Sequence, residues 1–236
     1  MRFPRPLVRA TLLRRYKRFL ADVRFADGVE ATAHCANTGS MLGLDHAGAE
    51  VWLLPHADPR RKLAWSWELV RDGTHLVGIN SATANALAAE ALAAGRIAEL
   101  GGYASLRREV RYGLSSRIDL LLEGPGRPIC YVEVKNVHLR RDGFAEFPDS
   151  VTPRGAKHLG ELAVMARGGH RAVMLYVVQR GDCDGFRIAV DIDPAYDGAV
   201  KKARAAGVET LCYYCRIDPE GIEIEAPLMM AAGVTG

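Results

Sequence analysis

The chain of 236 residues is 49% hydrophobic and 25% charged with a net charge of +3, which allows one large domain or two ordinary ones, packed without disulfides. No apolar run reaches the ~18 residues of a membrane span, and MRFPRPLVRA carries charge and prolines where a secretory signal is apolar, so a cytoplasmic protein with no membrane partner is expected. The five cysteines (Cys35, Cys130, Cys183, Cys212, Cys215) are odd in number and scattered, and Cys212-x-x-Cys215 lacks the second ligand pair of a structural zinc site.

The chain opens basic: Arg2, Arg5, Arg9, Arg14, Arg15, Lys17, Arg18 and Arg24 face a single early acid, Asp22. Such local excess attracts phosphate chains through counterion release. LVRATLL, RFLADVRF, GVEATAH, VWLL, RRKLAWSWELV and HLVGIN are short and apolar, with alternation and turn signals, and predict a small barrel over residues 1–80. Tyr16 and Phe19 interleave with Arg14, Arg15, Lys17 and Arg18, a pattern in which rings stack on bases while cations follow the backbone. Asn37 and Ser40, in the loop Asn37-Thr38-Gly39-Ser40, offer donors to phosphate, although the same residues also make an ordinary turn. Trp65 and Trp67 share a strand face, so at least one belongs to the core.

From residue 81 to 236 the pattern changes. SATANALAAEALAAG reads as a helix capped by Asn80 or Ser81 and stopped at Gly95. Strands follow at 105–112, 117–122 and 129–135, then a helix from near Gly155 to Gly168, and a continuous apolar strand, AVMLYVVQ, covered on both faces. FRIAVDI, a proline-started helix at 194–206, VETLCYY and IEIEAP complete the chain.

SRIDLLLEGPGRPICYVEVKN carries the chemistry. A turn centred on Gly126 pairs residues whose numbers sum to 252, placing Asp119 opposite Glu133, with Lys135 on the same face as Glu133. Two facing carboxylates repel unless a positive group lies between them. Lys135 and Arg117 supply part of that charge; a hard divalent cation, Mg2+ (or Mn2+), supplies it better and suits phosphodiester hydrolysis. Asp119 and Glu133 are thus candidate metal ligands, with Lys135 orienting water or stabilising the transition state. The competing reading is a solvent-facing ion row, which the flanking apolar ICYV and LLL disfavour. Lys157 and His158 at a helix start oppose the helix dipole unless an anion is near. Glu90 reads as a surface acid, and Glu109 as one member of an ion-paired row with Arg107 and Arg111. No dinucleotide, P-loop or nucleophile-elbow motif supports a small-molecule enzyme.

VEVK after an apolar strand, 14 residues downstream of Asp119, resembles the PD-(D/E)XK nuclease superfamily. RRYKRFLADV, AHCANTGSMLG, RKLAWSWELV, YGLSSRIDLLL, YVEVKNV and FPDSVTPRGAKHLGEL together resemble the sugar fermentation stimulation protein A family over nearly the whole chain. That resemblance implies an α+β protein of two domains. An N-terminal OB-fold β-barrel (1–80) binds nucleic acid, and a restriction-endonuclease-like mixed α/β domain (81–236) follows. DNA, or else RNA, is the implied partner. Asp119, Glu133 and Lys135 fall on the superfamily's Asp, Glu and Lys, and Lys157 and His158 on a basic segment directed at phosphate or metal-bound water. The alternative it implies is a non-catalytic DNA-binding regulator of sugar (maltose) fermentation genes. Two positions depart from the pattern: Ile118 stands where the superfamily name has Pro, and His138 where a Thr is expected.

Overall fold

A computed structural model of the chain describes residues 1–113 and 116–231; Leu114 and Ser115, part of the YGLSSRIDLLL match, and residues 232–236 lie outside the described set. β1 (Val8–Tyr16), β2 (Leu20–Arg24), β3 (Glu30–Cys35), β4 (Glu50–Pro55), β5 (Trp65–Asp72) and β6 (His75–Gly78) form one sheet in the order β3-β2-β1-β4-β5-β6. A parallel pairing of β3 with β5, Ala33 against Trp65 through Cys35 against Trp67, closes the first five strands into an OB barrel. Closure removes the free edges of a small sheet. Leu12, Val23, Leu53, Trp67 and Val77 fill its interior. Trp67 is fully buried and its indole N–H donates to the Leu69 carbonyl, whereas Trp65 leans on Phe25 at the barrel mouth.

Beyond the barrel, a 3₁₀ turn (Ser81–Thr83) capped by Asn80 leads into α1 (Ala84–Ala93). Then come β7 (Ser105–Tyr112), β8 (Ser116–Glu123), β9 (Cys130–Val137), β10 (Leu139–Arg141), β11 (Phe144–Phe147), α2 (Pro153–Arg167), β12 (Arg171–Val178), β13 (Gly185–Ile188), α3 (Pro194–Ala205), β14 (Glu209–Asp218) and β15 (Gly221–Pro227). Six strands make a mixed sheet in the order β15-β14-β12-β9-β8-β7, with β12 parallel to both β9 and β14. β12 is buried along almost its whole length, as its unbroken apolar run requires. α1 packs on one face with Leu120, Val132 and Val134; α2 and α3 cover the other with Leu121, Tyr176 and Val137. β10, β11 and β13 form a small separate sheet, of which only β13, within FRIAVDI, has a counterpart in the sequence analysis. Its hairpin turns on Asp142-Gly143, both at positive φ, the Asp-Gly signal of a type I′ turn. No helix among the described residues is long and apolar enough to cross a membrane.

The barrel is bound to the larger sheet by polar contacts. Gly78 N–H donates to the Gln179 carbonyl, and Gln179 Nε2 donates to the carbonyl of Asn80. Asp149 Oδ2 accepts from Met41 N–H at 3.0 Å and its carbonyl from Ser40 Oγ at 2.6 Å; it also pairs with His138 at 3.2 Å. Hence the His in place of the expected Thr stands at this junction, its Nε2 beside the Asp149 carboxylate. Gly39 is needed for the close approach, because a Cβ there would stand 2.4 Å from the Asp149 carboxylate.

Glu68 is the buried acid of the barrel, 4% exposed, with Oε2 accepting from Asn80 Nδ2 at 2.9 Å. Burial lifts its pKa to about 7 against the opposing pull of Asn80. A carboxyl raised on folding favours the folded state fully below its ordinary pKa of 4.5 and loses that contribution as pH climbs through about 7. Glu68→Gln is therefore expected to remove on the order of 3 kcal/mol of pH-dependent destabilisation between pH 4.5 and 8. Urea unfolding of both proteins across that range checks it; parallel pH profiles would refute it.

Candidate functional site

The β8–β9 ladder has the register that a turn at Gly126 implies: Leu120 faces Val132, Leu121 faces Tyr131 and Leu122 faces Cys130. At the next position the pairing changes. The Val134 N–H donates to Asp119 Oδ2 at 2.8 Å, so a side-chain carboxylate takes the place of a ladder acceptor. Alternation also breaks there: Ile118 and Leu121 pack on the α2 side, Leu120 and Leu122 on the α1 side. On β7 the residue opposite in register, Glu109, has φ of 53°, a left-handed backbone that a non-glycine residue adopts at a cost. Strands β7 and β8 thus both turn over at the same level, which leaves Asp119 on a cleft rather than in either core.

On β9 the alternation is regular. Val132 and Val134 point to α1, so Glu133 and Lys135 point to α2, where His158 meets them. Glu133 is 2% exposed. Its Oε1 accepts from Lys135 Nζ at 2.7 Å and from His158 Nδ1. His158 Nε2 accepts from Arg154 Nε at 3.3 Å, which assigns the ring proton to Nδ1. Glu133 Oε2 is buried with no hydrogen-bond partner. Burial pushes the Glu133 carboxyl up, but the His158 and Lys135 hydrogen bonds and the Lys135 charge outweigh it and the net shift is downward. Asp119 goes the other way, to about 6, through burial first and the Glu133 charge second, against the Val134 N–H, Lys135 and Asn85.

An open cleft of about 890 Å³ joins these groups, with Arg117, Arg154 and Lys157 on its wall beside Asp119, Glu133 and Lys135. Lys157 is half-exposed and lies 3.6 Å from Glu161. One sequence expectation needs correction here. α2 starts at Pro153 behind the cap Thr152, whose Oγ1 accepts from Gly155 N–H, so Lys157 and His158 sit in the second turn, outside the strongest dipole field. The Thr-Pro pair was the missed signal. His158 is buried rather than presented to solvent. A second correction concerns Glu109, which lines the cleft instead of joining an arginine row; Arg107 pairs with Glu123. Glu90 is exposed and accepts from the Met1 amine. The α1 residue that reaches the site is Asn85, with Nδ2 2.7 Å from Asp119 Oδ1. Its only sequence signal was a polar residue in the first turn of an alanine-rich helix.

The barrel residues divide into two groups. Arg15 and Asn37 are corrected as surface contacts, because their side chains are used internally, whereas Ser40 is exposed with its hydroxyl proton given to the Asp149 carbonyl. Arg15 is nearly buried and donates to the carbonyls of Arg18, Asn37, Gly39 and Ser40. Asn37 donates to the Ile79 carbonyl and accepts from Gly39 N–H, while Ser40 Oγ holds Asp149. Arg14 and Tyr16 share Asp22. Lys17 and Arg18, at φ of 49° and 63°, and Phe19, 46% exposed, form the outward tip of the β1–β2 turn. Arg15 clamps that tip to the loop that Asp149 holds.

Among the described residues no group of three or more His, Cys, Asp and Glu is arranged to hold a metal ion. Asp119 and Glu133 are a two-carboxylate set, and the partnerless Oε2 gives that set an oxygen donor with nothing to bind. Hard oxygen ligands of this number fit Mg2+, which retains waters and takes one or two carboxylates with substrate phosphates.

Comparison with known proteins agrees across the chain. Residues 13–79 match the family model of the SfsA N-terminal OB domain, and residues 82–221 that of the sugar fermentation stimulation protein RE domain. Sugar fermentation stimulation protein homologs from Paramagnetospirillum magneticum and Rhodospirillum centenum are each 62% identical, over 230 and 234 residues; 98% of this chain is covered in both, with 98% and 100% of the relatives. Among solved structures, Pyrococcus furiosus SfsA in complex with Ca2+ matches with a TM-score of 0.89 at 26% identity, covering 98% of this chain and 99% of the other.

Proposed function

The chain belongs to the sugar fermentation stimulation protein family, and from that premise we propose that it is a divalent-metal-dependent nuclease that hydrolyses phosphodiester bonds in DNA. The observation that carries this reading is the buried, partnerless Glu133 Oε2 on a cleft that also holds Asp119 and the side chains of Arg117, Lys135, Arg154 and Lys157. An orphaned carboxylate oxygen costs free energy unless a donor or cation meets it. The description of the Pyrococcus relative as a Ca2+ complex is in keeping with a cation at such a site. Asp119 and Glu133 would hold Mg2+ or Mn2+; when bound, the cation supplies Lewis acidity toward a phosphoryl oxygen and toward water.

The remaining roles fall to the chain's own groups. Lys135 Nζ, held by Glu133, is placed to stabilise negative charge growing on the phosphoryl group. His158 fixes Glu133 through its Nδ1 proton and is itself oriented by Arg154. Arg117 and Lys157 on the cleft wall suit the flanking phosphates. The Lys17-Arg18-Phe19 tip suits a strand approaching along the barrel, with cations on the backbone and the ring against a base.

Purified protein with Mg2+ or Mn2+, tested on single- and double-stranded DNA and RNA, is expected to cut at least one of them and to stop on chelation. A non-catalytic DNA-binding regulator draws support from the relatives' names and from Glu133 Oε1, already engaged by Lys135 and His158. Salt-sensitive binding with no cleavage on any substrate would favour it. Under either reading, replacing Lys17 and Arg18 together by Ala should flatten log K against log salt by about 1.8, at roughly 0.9 per lost phosphate contact on duplex DNA. An unchanged slope would remove the tip from the binding surface.

A further inference from the structure

Asn85 stands in the first turn of α1, just after the 3₁₀ turn by which the chain leaves the barrel. It serves no local purpose there. Ala and Leu are better helix formers, and Asn85 is not a cap: Thr83 holds the N-cap position of α1, and Asn80 caps the 3₁₀ turn before it. Instead the Asn85 amide reaches Asp119, 34 residues along the chain, donating to Oδ1 at 2.7 Å; Glu109 Oε1 lies 3.4 Å from the same nitrogen.

The base of this reach is immobilised from both domains. Ser81 donates through N–H and Oγ to the barrel carbonyl of Ala36, at 3.0 and 2.9 Å. Asn80 Nδ2 grips the buried Glu68 of β5, and Gln179 Nε2 holds the Asn80 carbonyl from the end of β12. Asp119 Oδ2 is meanwhile fixed by Val134 N–H. One donor on each oxygen sets the plane of the carboxylate and leaves each oxygen a further lone pair. Both donors are neutral, so they orient Asp119 without cancelling the charge that a cation needs. A lysine or arginine at position 85 would orient it and neutralise it together.

We infer that Asn85 is a positioning residue that holds Asp119 as a cation ligand, and that it ties cation affinity to the seating of the barrel on the larger sheet. The inference rests on the divalent-metal reading above. It is tested by calorimetric titration with Mn2+ of the full chain and of Asn85→Ala and Asn85→Leu, alongside thermal unfolding without metal. Loss of an outer hydrogen bond to a metal ligand weakens affinity about 10- to 100-fold, and that loss is expected in both variants with melting midpoints close to the parent's. Mn2+ affinity within twofold of the parent in either variant overturns the inference. So does a midpoint lowered by more than about 5 °C in both, which assigns Asn85 a structural role instead. Absence of Mn2+ binding by the parent chain overturns the metal reading itself, a result distinct from the other two.

Discussion

Asp119→Ala is expected to abolish metal-dependent cleavage while leaving nucleic-acid binding intact or tighter. Asp119 supplies one of two carboxylates to the proposed cation, and Glu133 alone keeps its Oε1 occupied by Lys135 and His158. Losing a Lewis acid worth several kcal/mol lowers the rate on the order of a thousandfold or more. Binding goes the other way, because the substitution removes a negative charge from a cleft walled by Arg117, Arg154 and Lys157. Measuring cleavage with Mn2+ and binding in chelator, at one salt concentration, separates the two. Glu133→Gln should lose cleavage to a similar degree and also release Lys135. A variant at Asp119 that cuts at the parent rate would sink the proposed site. Equal binding by parent and variant, with neither cutting, would leave the regulator.

Arg180→Ala should produce the largest loss of stability, about 3–5 kcal/mol. Its guanidinium is 1% exposed and sits where the barrel meets the larger sheet. It donates to Asp72 of β5 at 2.7 Å, to both oxygens of Asp182 at 2.7 Å, and to the His138 carbonyl at 3.0 Å. Burial lowers the Arg180 pKa, but the Asp182 and Asp72 hydrogen bonds outweigh it, so the side chain stays charged. Truncation strands Asp182, 10% exposed, without its main counter-ion, and leaving a buried charge unpaired is what makes such changes costly. Urea unfolding should show a lower midpoint. The transition should also split, because Asp72 is the barrel's end of this tie. A loss under about 1 kcal/mol would mean that water or a neighbouring base replaces the guanidinium.

Both predictions depend on distant residues, and this divides what was legible in the chain from what was not. Turn chemistry is local: Gly-Pro-Gly between two apolar runs sets a hairpin, the hairpin sets its register, and the register brings Asp119 to the level of Glu133. Period-2 alternation is equally local, and it placed Lys135 beside Glu133. Short alternating strands in the first 80 residues were enough for a barrel, and the distributed family motifs for its OB type and for the RE domain behind it.

Alternation says which side chains share a face, but not which helix covers that face or what a long side chain finds there. Arg15 reads as a phosphate contact by composition, yet four backbone carbonyls from its own turn and a neighbouring loop surround it once the barrel closes. Glu109 reads as one of a charged row, yet a left-handed backbone at that residue turns the strand over and sets it on the cleft. Asn85 and His158 reach the site from opposite faces of one sheet, and nothing near either residue in the chain marks its target. Local propensity and spacing determined the elements and the acidic pair. Closure of the barrel, the helix on each face of the sheet, and the partners of each buried charge came from packing between segments far apart in the chain, where burial and hydrogen-bond geometry choose among contacts that composition leaves equal.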